Sequence, residues 1–230
     1  MTNETLRKFI FSFCSDNLLR ETLTKPNYYD NGYVAASDST ALVFTHAPDF
    51  DKTDCLNSKL GIWQILEPFS KFYEKNEKSI GILDFSQIKD VLSNISMLPE
   101  YQDKYKECSE CDGHGTVECD CCGKESDCEE CDGEGEVVCG KEETGYYKYP
   151  DDQYFMIDGQ PFGFSAMGKI SERLSLIDVK ELEVFDRVSN DRAFFRVKGT
   201  DIYILQMGIY RDDLEFREKT KHIIEVIKTN

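Results

Sequence analysis

Cysteine is the residue type in this chain most able to do chemistry. There are ten, and eight lie between Cys108 and Cys139. They form an internal repeat with a period of twenty residues. Cys108-Ser-Glu-Cys111-Asp-Gly113-His-Gly115 recurs as Cys128-Glu-Glu-Cys131-Asp-Gly133-Glu-Gly135, and Cys119 keeps register with Cys139. The first copy closes as Cys119-x-x-Cys122, the second as Cys139-x-x-Glu142. Two thiolates separated by two residues can converge on one tetrahedral ion, with zinc–sulfur distances of about 2.3 Å. Glycines after each pair allow positive φ, so the chain can turn tightly around a metal. The spacing predicts structural Zn(2+), one or two ions per chain.

Two other uses of cysteine fit less well. Disulfides belong to exported proteins, and a redox Cys-x-x-Cys catalyst carries one pair at a helix start, not a series of them. Residues 107–143 hold fourteen Asp or Glu against two Lys, a net charge of −12, and their large aliphatics are Val117, Val137 and Val138 alone. So small a core cannot fold the segment, and metal binding must supply the energy.

The Cys-x-x-Cys-x-Gly-x-Gly repeats resemble the cysteine-rich zinc domain of DnaJ-type co-chaperones over residues 106–143. The resemblance implies an inner site of Cys119, Cys122, Cys128 and Cys131. It also implies an outer site that takes Cys108, Cys111 and Cys139. The family's eighth cysteine is Glu142 here, so the last outer ligand is open among Glu142, His114, Cys121 and water. No His-Pro-Asp occurs in the chain, which excludes a complete co-chaperone.

The rest of the sequence must position this insertion. The apolar period predicts a helix over 3–20, with Leu6, Phe9, Ile10 and Phe13 as its stripe. A hairpin is expected around Asp30-Asn31-Gly32 and a strand over Ala41 to Phe44. Residues 47–60 read as loop. The apolar stretch from Ile62 to Tyr73 is interrupted by Pro68, which leaves its class open. Asp84 and Gln87 form a capping-box-like start to a helix ending near Ile95. A second hairpin turns at Asp158-Gly159 and a helix follows over 165–177. Strands are then expected over 181–185, 193–197 and 202–207, and a last helix from Asp212 to Lys228. The expected fold is α+β, a mainly antiparallel sheet with helices, split into 1–105 and 144–230 by the zinc-binding insertion 106–143.

Val34-Ala35-Ala36-Ser37-Asp38 resembles the strand that enters a Thr-Asp-Gly turn in bacterial DNA-polymerase sliding clamps. The runs 193–197 and 202–207 resemble that family's closing hairpin. Ser39 stands where the family's turn has glycine. The resemblance implies a clamp-like domain, which needs to oligomerise to encircle DNA.

The chain's net charge of −17 argues against a general nucleic-acid coat. Outside 107–143 the net is only −5. No apolar run reaches the roughly 18 residues of a membrane span, so a cytoplasmic location is expected. His46, His114 and His222 are scattered, and no Gly-x-Ser-x-Gly, P-loop or His-Glu-x-x-His occurs. The expected positions are a loop for His46 and a helix end for His222. The chemistry points to a non-enzymatic adaptor, or a phage-type or bacterial inhibitor, that presents an acidic surface to a basic protein partner. A clamp-related accessory factor in replication or repair is the alternative; a zinc enzyme comes third.

Overall fold

The computed structural model describes residues 1–57, 61–75, 77–119, 121–150, 153–186, 192–208 and 220–228. The chain forms two compact units, Met1–Ile95 with Pro150–Asn230, and Ser96–Tyr149. The first unit begins with helix α1 (Asn3–Phe11), then strands β1 (Asn27–Tyr28), β2 (Tyr33–Ser37), β3 (Ala41–His46) and β4 (Leu56–Asn57). Helices α2 (Ile62–Leu66) and α3 (Ser70–Tyr73), strand β5 (Gly81–Asp84) and helix α4 (Ser86–Asn94) follow. The second unit contributes β6 (Leu98–Glu107), β7 (Thr116–Glu118), β8 (Glu125–Asp127) and β9 (Glu136–Lys148). The first unit resumes with β10 (Gln153–Ile157), β11 (Gln160–Gly163), α5 (Phe164–Ser175), β12 (Glu181–Val184), β13 (Arg192–Val197) and β14 (Ile202–Met207). Strands β15 (Thr220–Ile224) and β16 (Val226–Lys228) close it.

The first unit is an α+β fold on a large, mainly antiparallel sheet. Nine strands run in the order β16-β5-β12-β13-β14-β3-β2-β1-β4, and β11-β10-β15 form a smaller sheet. Only β1–β4 and β10–β15 pair in parallel among the described strands. Aromatic residues fill one core. Phe44 stacks on Tyr203 at 5.1 Å and Phe69 on Phe194 at 5.2 Å, with Ile62, Leu66, Phe72 and Leu205 buried around them. Offset aromatic pairs of this kind add about 1 kcal/mol each to the area they bury. The stretch left open over 62–73 is helical, with Pro68 in a 3-10 turn between α2 and α3, where its missing N–H costs nothing.

Turn chemistry sets the strand registers. Asp158 and Gly159 both have positive φ, 46° and 71°, the pattern of a two-residue hairpin loop whose twist suits its strands. After β2 the chain turns through Asp38 and Ser39. Asp38 Oδ1 accepts hydrogen bonds from Thr40 N (2.8 Å), Thr40 Oγ1 (2.7 Å) and Ala41 N (2.9 Å). Its other oxygen accepts from Arg173 Nη2 on α5 at 2.5 Å, in a pair about one-tenth exposed. Burial pushes the Asp38 carboxyl up, but the bonds from Thr40, Arg173 and Ala41 outweigh it and hold it at about 2.

Several expectations change. The first helix stops at Phe11, not near 20. Side-chain bonds from Ser15 and Asn17 to nearby backbone N–H groups compete with the helix, and Leu18 and Leu19 are left exposed. Helix α4 starts two residues late, because Asp84 ends β5 and Gln87 accepts from Glu225 N instead of closing a capping box. Of the expected last helix, 212–219 lie outside the described residues, and 220–228 are strands. The β-branched run Ile223-Ile224-x-Val226-Ile227 pairs with β10 and β5, so tertiary pairing overrides its helical start signals. His222 is therefore in a strand, its Nε2 lying 3.0 Å from Gln153 Oε1, and His46 is the last residue of β3. No helix among the described residues is long and apolar enough to cross a membrane.

Candidate metal centre

The second unit folds around its own repeat, and the two copies make the same bonds. Cys108 N donates to Gly135 O and Cys128 N donates to Gly115 O, each at 2.8 Å. Gly113 N bonds Cys108 O, and Gly133 N bonds Cys128 O, each at 3.1 Å. Asp112 and Asp132 sit at φ 47° and 49°. The two copies are thus related by a local two-fold axis. Strands β6 and β7 flank the first knuckle as β8 and β9 flank the second, and the ladders β6–β9 and β7–β8 join the copies, with Glu107 opposite Glu136 and Asp127 opposite Thr116.

At the axis the four sulfurs of Cys108, Cys111, Cys128 and Cys131 lie within 4.8 Å of one another, and all four residues are buried. Cys108 Sγ is 3.8 Å from Cys128 Sγ, and Cys111 Sγ is 3.7 Å from Cys131 Sγ. A tetrahedron with bonds of about 2.3 Å has edges of about 3.8 Å, and these two sulfur–sulfur distances match such edges. Gly115 N donates to Cys111 Sγ and Gly135 N to Cys131 Sγ, both at 3.2 Å, offsetting thiolate charge. Val117 and Val137 pack beside the cluster. Four cysteine sulfurs can hold a metal ion here without any further ligand.

This grouping differs from the one that the DnaJ-type resemblance implies. The first knuckle's sulfurs group with the third's, whereas the resemblance pairs the first knuckle with the fourth and the second with the third. The reason is backbone contact. A Cβ on Gly115 would lie 2.2 Å from Gly133 O, and one on Gly135 would lie 2.4 Å from Gly113 O. Only the knuckles followed by two glycines can approach this closely. That signal was present in the sequence, where Gly-x-Gly follows Cys111 and Cys131 and no other pair.

The remaining candidates lie elsewhere. Cys139 is exposed on β9, its thiol 3.3 Å from Lys104 O. Glu142 accepts from Gln102 Nε2 at 2.9 Å across the β6–β9 ladder, and His114 is exposed. Cys119 and Cys122 meet Cys121 at the turn closing β7 and β8, a second group of three sulfurs within 4.8 Å. A hydrogen bond from Cys121 is the main force drawing the Cys119 thiol down, to about 7. In the first unit burial pushes the Cys14 thiol up to about 12 and also raises Cys55, which makes both poor nucleophiles.

Neither a protein-family model nor a curated protein matches the sequence. Among solved structures, the chain is similar to the DNA polymerase sliding clamp of Bacillus subtilis, with TM-score 0.48, 13% identity, and 90% of this chain and 62% of that chain covered. The DNA polymerase III subunit beta of Pseudomonas aeruginosa gives TM-score 0.41 at 13% identity, covering 91% of this chain and 65% of that one. The beta subunit from Thermotoga maritima gives 0.41 at 9% identity, covering 91% and 64%. The chain thus spans between 62% and 65% of the length of these three solved clamp chains.

Proposed function

We propose that the chain is a non-catalytic, cytoplasmic accessory protein of DNA replication or repair, with a clamp-type first unit and a zinc-bound second unit for protein contact. Fold alone does not assign function. What supports the clamp half is the turn after β2. Ser39 has φ 77°, the left-handed backbone that glycine adopts freely, at the position where the clamp motif carries glycine. The closing hairpin supports it too, since β13 and β14 pair as neighbours. A chain of this size must self-associate to surround a duplex. Sedimentation on nicked circular and linearised DNA tests this. Retention on circles that is lost on linearisation, with a self-associated species in solution, is expected. A monomer that treats both DNAs alike would overturn the clamp reading.

Zinc in the four-sulfur cluster is the second part of the proposal, supported by the 3.7 and 3.8 Å sulfur spacings. Elemental analysis of protein purified without added metal should find zinc. Its release on mutating Cys108 or Cys128, and not Cys139, would place it there.

A second reading, an acidic adaptor for a basic protein, is supported by the direction of the charges. Glu110, Asp112, Glu129, Glu130, Asp132 and Glu134 are all exposed around the buried sulfurs. A four-thiolate zinc site adds a further charge of about −2. Such a surface steers basic partners, and the association weakens with salt. Finding zinc would be consistent with both readings; the DNA-topology experiment separates them.

A further inference from the structure

The β6–β9 ribbon has two unlike faces. Residues paired across an antiparallel ladder share a face, and successive residues along a strand alternate between faces. One face carries Gln102, whose Nε2 donates to Glu142 Oε1 at 2.9 Å, and Lys104, whose Nζ lies 3.9 Å from Glu142 Oε2. On that same face Val137, opposite Lys106, packs beside the cysteine cluster. The other face is aromatic and open. It presents Tyr101 opposite Glu143 and Tyr105 opposite Val138. Tyr101, Tyr105 and Val138 are 52%, 56% and 56% exposed.

Each tyrosine of this face stands beside carboxylates. Tyr101 Oη donates to Glu143 Oε1 at 3.2 Å, so ring and carboxylate adjoin. Tyr105 lies between Asp103 and Glu107, two residues to either side of it along β6 and therefore on the same face. Glu136, opposite Glu107, adds a fourth carboxylate, and Lys141, opposite Asp103, is the one cation of this face among the described residues. An arginine guanidinium is a flat cation that stacks on an aromatic ring while a neighbouring carboxylate accepts its N–H bonds. A strand rises about 3.4 Å per residue, so Tyr101 and Tyr105 stand roughly 13 Å apart. Side chains four apart in an extended segment have the same spacing and point the same way. A second copy of this unit would bring like charges together, since residues 107–143 carry a net charge of −12, and the phosphates of nucleic acid or anionic lipid meet the same repulsion.

We propose that this face of the β6–β9 ribbon binds an extended segment of a protein partner that carries two arginines four residues apart. One guanidinium stacks on Tyr101 and bonds Glu143. The other stacks on Tyr105 between Asp103 and Glu107. The proposal rests on the protein-contact role given above to the second unit and names the chemistry of its partner. It places recognition on the ribbon, away from the acidic residues around the sulfurs.

The test uses the full chain as purified. The probe is a fluorescein-labelled peptide of Thr and Val with two arginines four apart, followed by anisotropy at physiological ionic strength. A second peptide of the same composition has its arginines three apart, which an extended chain turns to opposite sides. The four-apart peptide should bind about tenfold tighter than the three-apart one, and lysines in place of its arginines should weaken it. Tyr101→Ser and Tyr105→Ser should each weaken binding about tenfold, with the thermal melt unchanged. Lys141→Glu should strengthen it. The spacing preference of the parent and the gain in Lys141→Glu decide the matter even if a tyrosine variant fails to fold. Equal binding of the two spacings would overturn the proposal. So would parent-like binding by both tyrosine variants, or a parent that dimerises through these tyrosines. Binding that ignores spacing and falls only in E129K/E130K/E134K would overturn it and leave the protein-contact role standing. A chain that binds neither peptide even at low salt would remove both.

Discussion

Gly115 and Gly135 are where the two repeat copies touch, and both combine positive φ with a carbonyl in the space a Cβ needs. Gly115→Ala should therefore cost about 2–3 kcal/mol through backbone strain and displacement together. That is roughly a 100-fold loss of zinc affinity in competition with a chromogenic chelator. Gly145→Ala is the control, because Gly145 also has positive φ (80°) but nothing within 4 Å. It should leave zinc affinity unchanged. In the first unit, Asp38→Asn leaves Arg173 buried without its counter-charge, a loss of about 3 kcal/mol. The folded carboxyl is held at about 2, below its ordinary 3.8. Its contribution is present above pH 3.8 and is lost as pH falls toward 2. Denaturant midpoints should thus fall over that range in the parent and fall less in Asp38→Asn; parallel slopes would contradict the assignment. The residue types of the metal centre were legible in the sequence, but the partnership among them was not. Spacing says that Cys108 and Cys111 share an ion, and nothing in spacing says which second pair they meet. The two intact glycine pairs carried that information, as a requirement for close approach.

Among the elements, the ladders β6–β9 and β7–β8 are two-stranded, and a lone two-stranded ribbon is marginal in water. On the zinc proposal above, the metal holds them together. Chelation should remove hydrogen-exchange protection from the amides of Cys108, Gly115, Cys128 and Gly135, and leave those of β13 and β14 as they were. Protection that survives chelation would show the ribbons to be stable unaided. Elements bounded by turn chemistry could be read directly. Asp30-Asn31-Gly32 and Asp158-Gly159 fixed their hairpins, and Lys198-Gly199 marked the turn between β13 and β14, where Gly199 takes φ 75°. The elements that could not be read owe their state to distant partners. Strand β5 is four residues long and lies between β12 and β16. Strands β15 and β16 carry helix-like charges at the sequence level, yet their β-branched residues are claimed by β10 and β5. Side-chain competition at Ser15 and Asn17 ended α1 where its apolar period alone would have continued it.

For the molecule as a whole, the two units keep separate cores. Phe44, Phe69, Phe194 and Tyr203 belong to the first, and four cysteines with Val117 and Val137 to the second. Replacing residues 99–147 by a short Gly/Ser linker should leave the first unit with one cooperative melt; loss of the melt would mean that the second unit completes its fold. Reversing Glu129, Glu130 and Glu134 to Lys should preserve zinc content. If the acidic surface recognises a basic protein, it should also slow association at low salt, and the difference should fade as the Debye length shortens to about 8 Å at physiological ionic strength. The register of the β6–β9 ladder has a further consequence. Leu98 stands opposite Lys148, so the chain enters and leaves the second unit as neighbouring strands, roughly 5 Å apart. Some fifty residues are thereby inserted as though they were a single tight turn, and their loop-closure entropy is met within the ladder itself. A segment with adjoining ends is portable. Spliced into the turn of an unrelated hairpin, residues 96–149 should carry their metal-dependent fold with them, and the recipient need provide only two antiparallel strands.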